Sequence, residues 1–255
     1  MLPYCLPLPV SSHLYIEQYC ICFYLNSQRS LFVRSIRIVS PIYWGGMLDQ
    51  LQVSDIVIIF VIILLSMAIH EAMHAFTAHW LGDTTAKDEG RLTLNPLKHI
   101  DIYTTVALPL ILILLHIPPF FIAKPVPFNP ARVRFEEFGA ALIGVVGPFT
   151  NLTLAAAVAG LVRLTGITAG SSVYNIASIV VVINLGFFVF NMIPFPPLDG
   201  SRLLYAVAPE PIQKVMYMIE SGGLMMIIVF MFVLFPVIIP VVSNVINHLY
   251  NFLMI

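Results

Sequence analysis

Apolar positions in this 255-residue chain gather into long blocks instead of alternating with polar ones, the pattern of helices buried all round rather than of half-buried strands. The first clean block, Ser54 to Leu81, reads as one helix, with Ser54 or Asp55 as its N-cap and Gly82 as its stop. At 1.5 Å per residue it covers roughly 42 Å, enough to cross a bilayer and emerge. The next, Val106 to Ile122, is interrupted by Pro109, Pro118 and Pro119 and reads as a re-entrant hairpin. Lys124 to Pro130 carries three more prolines, each holding the residue before it extended, so a strand-like loop is expected there. Phe138 to Val162 has no charge and includes Gly139, Gly144, Gly147 and Gly160, which let helices approach closely. It is a spanning helix, as are Tyr174 to Ile193 and Val215 to Phe235. A weaker tail from Val237 to Ile255 either crosses or lies in the interface.

Composition agrees with this pattern. The chain is 59% hydrophobic and 10% charged, with a mean hydropathy of +0.94. The expected fold is therefore an all-α polytopic membrane protein, with about four to six transmembrane helices and a Pro-rich hairpin with an extended loop. A net charge of −1 gives no field that would recruit nucleic acid. Residues 1–46 differ in texture: their longest apolar stretch, Leu14 to Leu25, contains Glu17 and Gln18 and is too short to span. They read as an extension ahead of a start at Met47, leaving 47–255 as the working domain with its core motifs in 54–204. Cys5, Cys20 and Cys22 all lie in that extension, so no disulfide framework supports the core, and Cys20-x-Cys22 lacks the second pair of a metal site.

Counting crossings fixes directions. If the Pro-broken segment does not cross, the helix containing His74 and the helix preceding Asp199 run the same way and bring those residues to one side. Eight basic residues (Lys87, Arg91, Lys98, Lys124, Arg132, Arg134, Arg202 and Lys214) fall on that side, against Arg163 alone on the other after Met47. Under the positive-inside rule that side is cytoplasmic, in what is expected to be a prokaryotic cell membrane.

His70-Glu71-Ala72-Met73-His74 lies inside the first block. Two imidazoles one helical turn apart can grip one zinc ion, and a glutamate between them can serve as a base. With seven His and seven Glu in the chain, shuffling yields the pattern about once in two hundred trials, so chance explains it poorly. Ionisable residues in a span are costly and call for a function or a neutralising metal. A catalytic zinc takes three protein ligands and keeps an open position. Asp199 is the best third candidate, because Pro194, Pro196 and Pro197 break the helix before it and turn it back toward the membrane.

His70 to His74, Gly147-Pro-Phe-Thr-Asn151 and Asn191-Met-Ile-Pro-Phe-Pro-Pro-Leu-Asp-Gly200 together resemble the site-2 protease family of intramembrane metalloproteases. Asn95 to Asp101 and Ala123 to Pro130 resemble its compact prokaryotic branch without a PDZ domain. The resemblance covers about Ser54 to Leu204. It implies one zinc per chain held by His70, His74 and Asp199, with Glu71 as catalytic base, cleaving membrane-spanning proteins within the bilayer. By motif membership Asn151 and Asn191 are assigned to substrate-backbone or oxyanion contacts, and Asn184 to structure.

Other polar residues have blander readings. His79 lies about 140° round the helix from His74 and points away from a shared metal. His99 either makes a structural hydrogen bond or supports the site. His116 and His248 read as interface or packing residues, and Glu220 as a structural carboxylate about five residues from the start of its span, within reach of the interface. Two other functional classes fit the same residues: a polytopic zinc carrier, and a catalytically silent relative that binds membrane partners. A carrier needs polar residues through the whole bilayer depth, whereas here they form one cluster. An intact Glu71 argues against the silent relative.

Overall fold

The computed structural model of the chain describes residues 53–115 and 120–255. The expectations for 1–46, for Met47, for the three cysteines and for His116, Pro118 and Pro119 lie outside the described residues. Among the described residues the chain is helical, with no β-strand, and four helical stretches are long and apolar enough to cross a membrane.

Helix α1 (Val53–Trp80) is the first of these, and Gly82 at φ +105° ends it as the sequence predicts. A one-turn helix α2 (Thr85–Asp88) follows. A π-helical turn (Ile102–Ala107) then leads into α3 (Leu108–Leu114). Asp101 starts this run by accepting the Tyr103 and Thr104 N–H groups. From Phe120 the chain runs extended beside the start of this segment: Thr104 and Thr105 donate their hydroxyls to the Ile122 carbonyl, and Ile122 N–H returns to Thr104. Both ends of the Pro-broken segment therefore sit together, and it is a hairpin.

Helices α4 (Glu136–Thr165) and α5 (Ser172–Asn191) form an antiparallel pair, with Ser171 capping α5 through the Tyr174 N–H. The apolar core joins Ala155, Ala159 and Val162 of α4 to Val181 and Leu185 of α5 and to Val242, Ile246 and Tyr250 of the last helix. Small residues on α4 make this possible, since helices in lipid associate by close packing rather than by escaping water.

The sequence expectation for the last third needs correction. Val215 to Phe235 is not one span. Helix α6 (Ser201–Val207) is followed by α7 (Glu210–Ser221), a separate amphipathic helix, and Gly223 at φ +54° breaks the chain there. The fourth crossing stretch is Gly223–Met254, made of α8 (Gly223–Val229), a π-helical turn (Phe230–Leu234) and α9 (Phe235–Met254). The weaker tail expected from Val237 is the second half of this stretch: the helix runs on past Phe235, through the widened π-turn, instead of ending there. Arg163, near the end of α4, donates to the Phe252 carbonyl at 2.9 Å, so the tail ends at the far end of the helices from Asp199, and the stretch it closes is long and apolar enough to cross.

Glu220 is structural, as expected. It pairs with Arg202 and accepts the Tyr205 hydroxyl at 3.1 Å, tying α7 to the segment that carries Asp199. Burial first, then the nearby Glu220 carboxylate, push the Tyr205 phenol up to about 12. A second clip is Asp83, fully buried, which accepts the Thr85 N–H and hydroxyl and the Asn129 N–H. Burial alone would raise this carboxyl, yet the bonds from Thr85 and Asn129 and the charge of Arg132 hold it below the usual range.

Candidate metal centre

The spacing of His70 and His74 puts both rings on one face of α1, and α1 and α5 run the same way, so the chain leaving α5 reaches the histidines. The turn after Asn191 is tight. Prolines 194, 196 and 197 deny it helical N–H donors, and Gly200 donates to the Asn191 carbonyl at 2.6 Å. A Cβ at Gly200 would lie 2.5 Å from the Met192 carbonyl oxygen, so only glycine closes the turn. Asp199 is thereby held with Oδ2 2.9 Å from His70 Nε2 and 3.3 Å from His74 Nε2, while the two Nε2 atoms are 3.0 Å apart.

These separations suit a single zinc ion. Tetrahedral bonds of roughly 2.0–2.1 Å place neighbouring donors about 3.3 Å apart, close to what the three atoms show. The rings are also turned correctly. His74 Nδ1 donates to the Ile143 carbonyl at 2.7 Å and His70 Nδ1 to Asn151 Oδ1 at 2.6 Å, which leaves both Nε2 lone pairs facing Asp199. Gly147 of α4 completes the cradle. A Cβ there would fall 2.7 Å from His70 Nε2 and press still harder on His74 Nε2. Gly144, one turn earlier, plays the same part for the Asp199 loop, where a Cβ would come 2.8 Å from the Asp199 carbonyl oxygen.

Glu71 is half-buried and lies outside the three-donor group; its Oε2 accepts the Val126 N–H at 3.1 Å. The extended segment 120–129 therefore passes the carboxylate. His99 braces that segment from behind: it is fully buried, its Nε2 meets the Thr93 carbonyl at 2.9 Å, and its own carbonyl accepts Lys124 N–H. Arg91, also buried, donates to the Lys124 carbonyl at 2.7 Å. Sequence reasoning did not single out Arg91, since an arginine in a loop gives no signal of burial.

Asn151 requires a correction. It was expected to face substrate, but it has no exposed surface, its oxygen serves His70 and its nitrogen donates to Asn184 Oδ1 at 2.9 Å. Asn191 is half-exposed, with its amide nitrogen on the Phe187 carbonyl of its own helix. His79 and His248 stay outside the donor group, and His248 Nδ1 donates to the Asn244 carbonyl at 2.8 Å.

Four apolar helices and a two-histidine, one-aspartate cluster define a polytopic helical membrane protein with a candidate zinc centre. Comparison with known proteins narrows this. The chain is 33% identical over 176 residues to the Bacillus subtilis protein named "Putative zinc metalloprotease YwhC", an alignment covering 66% of this chain and 76% of that one. It is 28% identical over 169 residues to "Putative zinc metalloprotease Rip2" of Mycolicibacterium smegmatis, covering 65% of this chain and 63% of that one. Rip2 of Mycobacterium tuberculosis matches at 28% over 144 residues. No family model and no solved structure matches. The chain belongs to the site-2 protease family.

Proposed function

We propose that the chain is a zinc-dependent endopeptidase that cleaves membrane-spanning segments of other proteins within the bilayer. His70, His74 and Asp199 would hold one zinc, and Glu71 is the base. The convergence of three donor atoms within 4.8 Å of one another, among helices apolar enough to cross a membrane, carries this reading. A zinc ion held there would supply Lewis-acid chemistry, polarising a carbonyl and acidifying a water.

The protein's own groups do the rest. Glu71 takes the proton of the attacking water and returns it to the leaving amine. A substrate helix must first unwind, because its carbonyls are spent in its own hydrogen bonds. The extended segment past Glu71, kept from coiling by Pro125 and Pro127, offers backbone against which an unwound stretch can lie. Asn191, half-exposed beside the Asp199 turn, contacts substrate backbone or the developing oxyanion. The eight basic residues at the site's end of the helices support a cytoplasmic active site.

Co-expression with a single-span substrate tests the reading. Glu71→Gln is expected to bind zinc at the wild-type stoichiometry and leave the substrate intact. Cleavage by that variant would remove Glu71 as the base, and zinc flux into sealed proteoliposomes that survives the substitution would favour a carrier instead.

A further inference from the structure

The hydrogen bond that orients His70 is the first link of a longer chain. Asn151 Nδ2 donates to Asn184 Oδ1 at 2.9 Å, and Asn184 Nδ2 donates to the Val180 carbonyl at 2.9 Å and to Ser66 Oγ at 3.0 Å. Asn151 Nδ2 also approaches the Ser66 carbonyl at 3.5 Å. All three side chains are buried, Asn151 at 0%, Asn184 at 1% and Ser66 at 5% exposure, on three different helices.

An amide can sit either way round in a site, and its partners decide which. Here the decision is made by a group that cannot reverse. The Val180 carbonyl can only accept, so Asn184 must present its NH2 there and its oxygen to Asn151. Asn151 must then present its own NH2 to Asn184, leaving its oxygen for His70. An oxygen facing His70 Nδ1 requires the proton on that nitrogen, which frees Nε2 for a ligand role. A reversed Asn151 would present NH2 to Nδ1, favour the proton on Nε2 and remove the ligand atom. His74 needs no such relay, because the Ile143 carbonyl fixes its ring directly.

We propose that Asn184 is a positioning residue for the metal centre, with Ser66 as its minor support: it fixes the flip state of Asn151 and thereby the tautomer of His70. This rests on the metal reading above. Asn184 touches no metal ligand and acts through Asn151 alone. A purely structural amide that only glues helices would respond to packing, whereas a positioning amide responds to which of its atoms accepts.

The test is zinc affinity of the purified full chain, measured by competition with a chromophoric chelator and normalised to folded protein by thermal unfolding. Asn184→Leu keeps the volume but loses the acceptor, and binding is expected to weaken about tenfold, at the low end for loss of an outer partner of a metal ligand. Asn184→Asp, which burial keeps protonated so that its O–H donates to the Val180 carbonyl, still accepts from Asn151 with its other oxygen and should stay within about threefold of wild type. Ser66→Ala should do the same, because Val180 still orients the amide. Wild-type affinity in Asn184→Leu, or equal loss in Asn184→Leu and Asn184→Asp, overturns the proposal. Should the leucine variant fail to fold, the zinc-loaded wild type decides: with 15N-labelled histidine, His70 must carry its proton on Nδ1, and a bare Nδ1 refutes the relay. A wild-type chain that takes up no zinc overturns the metal reading itself, and this proposal with it.

Discussion

Gly147→Ala separates metal binding from stability in opposite directions. A methyl group at this position lies 2.7 Å from His70 Nε2 and closer still to His74 Nε2, whereas ordinary contacts begin near 3.4 Å, so at least about 0.7 Å of overlap must be relieved. Relief is hard to find: His70 is tied at Nδ1 to a buried asparagine and His74 to a backbone carbonyl. Overpacking of this kind costs about 1–3 kcal/mol, which corresponds to roughly 5- to 150-fold in zinc affinity. Without metal nothing holds the rings at Nε2, so a ring can give up its Nδ1 bond and turn aside at about 1 kcal/mol, a cost that alanine in place of a mid-helix glycine offsets by about 1 kcal/mol of helix propensity. The zinc-free variant should therefore melt no lower than the wild type while zinc binding falls by one to two orders of magnitude. Chelator competition and thermal unfolding of both forms in detergent read the two effects separately. Wild-type zinc affinity in Gly147→Ala would show that the histidines do not meet a metal where α4 passes them.

Three further outcomes follow from the same geometry. Asp199→Ala removes one of the three converging donors and should reduce bound zinc to well below one per chain by metal analysis; unchanged stoichiometry excludes Asp199 as a ligand. Asp83→Ala leaves buried donors of Thr85 and Asn129 unpaired, at about 1–3 kcal/mol for each one lost, and should lower the melting temperature. Because the folded carboxyl titrates below its unfolded value near 3.8, the charge-assisted share of that stabilisation is complete above this pH. It fades as pH falls toward the folded value, so the gap between wild type and Asp83→Ala should narrow below about pH 4; a gap that widens there contradicts the assignment. Glu220→Gln keeps the shape but removes the charge facing Arg202, and a loss of about 1–2 kcal/mol in thermal unfolding is expected. No change would mean the pair is solvated and does not anchor α7.

Much was legible in the sequence because membrane proteins write their constraints locally. A span must be apolar over its whole length, so α1, α4 and α5 appeared within a few residues of their true bounds. Two histidines four apart on a helix share a face by covalent geometry, and the glycine after Leu81 announced the stop. The proline run before Asp199 showed that the chain must turn there, and the parity of crossings then placed Asp199 on the side of His74. The last third was misread for an equally physical reason. Val215 to Phe235 is apolar enough to read as one rod, and neither the break at Gly223 nor the π-turn that carries the helix past Phe235 has a local signature; Phe230, inside that turn, stacks on Phe195 at 4.9 Å.

The sequence by itself determined the first apolar rods, α1, α4 and α5, their directions and which polar side chains stand among them, because each of these depends on neighbours within a turn or two of chain. Only tertiary structure decided the register between rods. That Gly147 rather than Gly160 faces the histidines, that Asn151 serves His70 instead of a substrate, and that Asn184 meets Ser66 across 118 positions of sequence are matters of rotation and depth. Every face of a lipid-embedded helix is apolar, so its pattern does not say which way it turns, and the buried polar bonds made on packing supply that information.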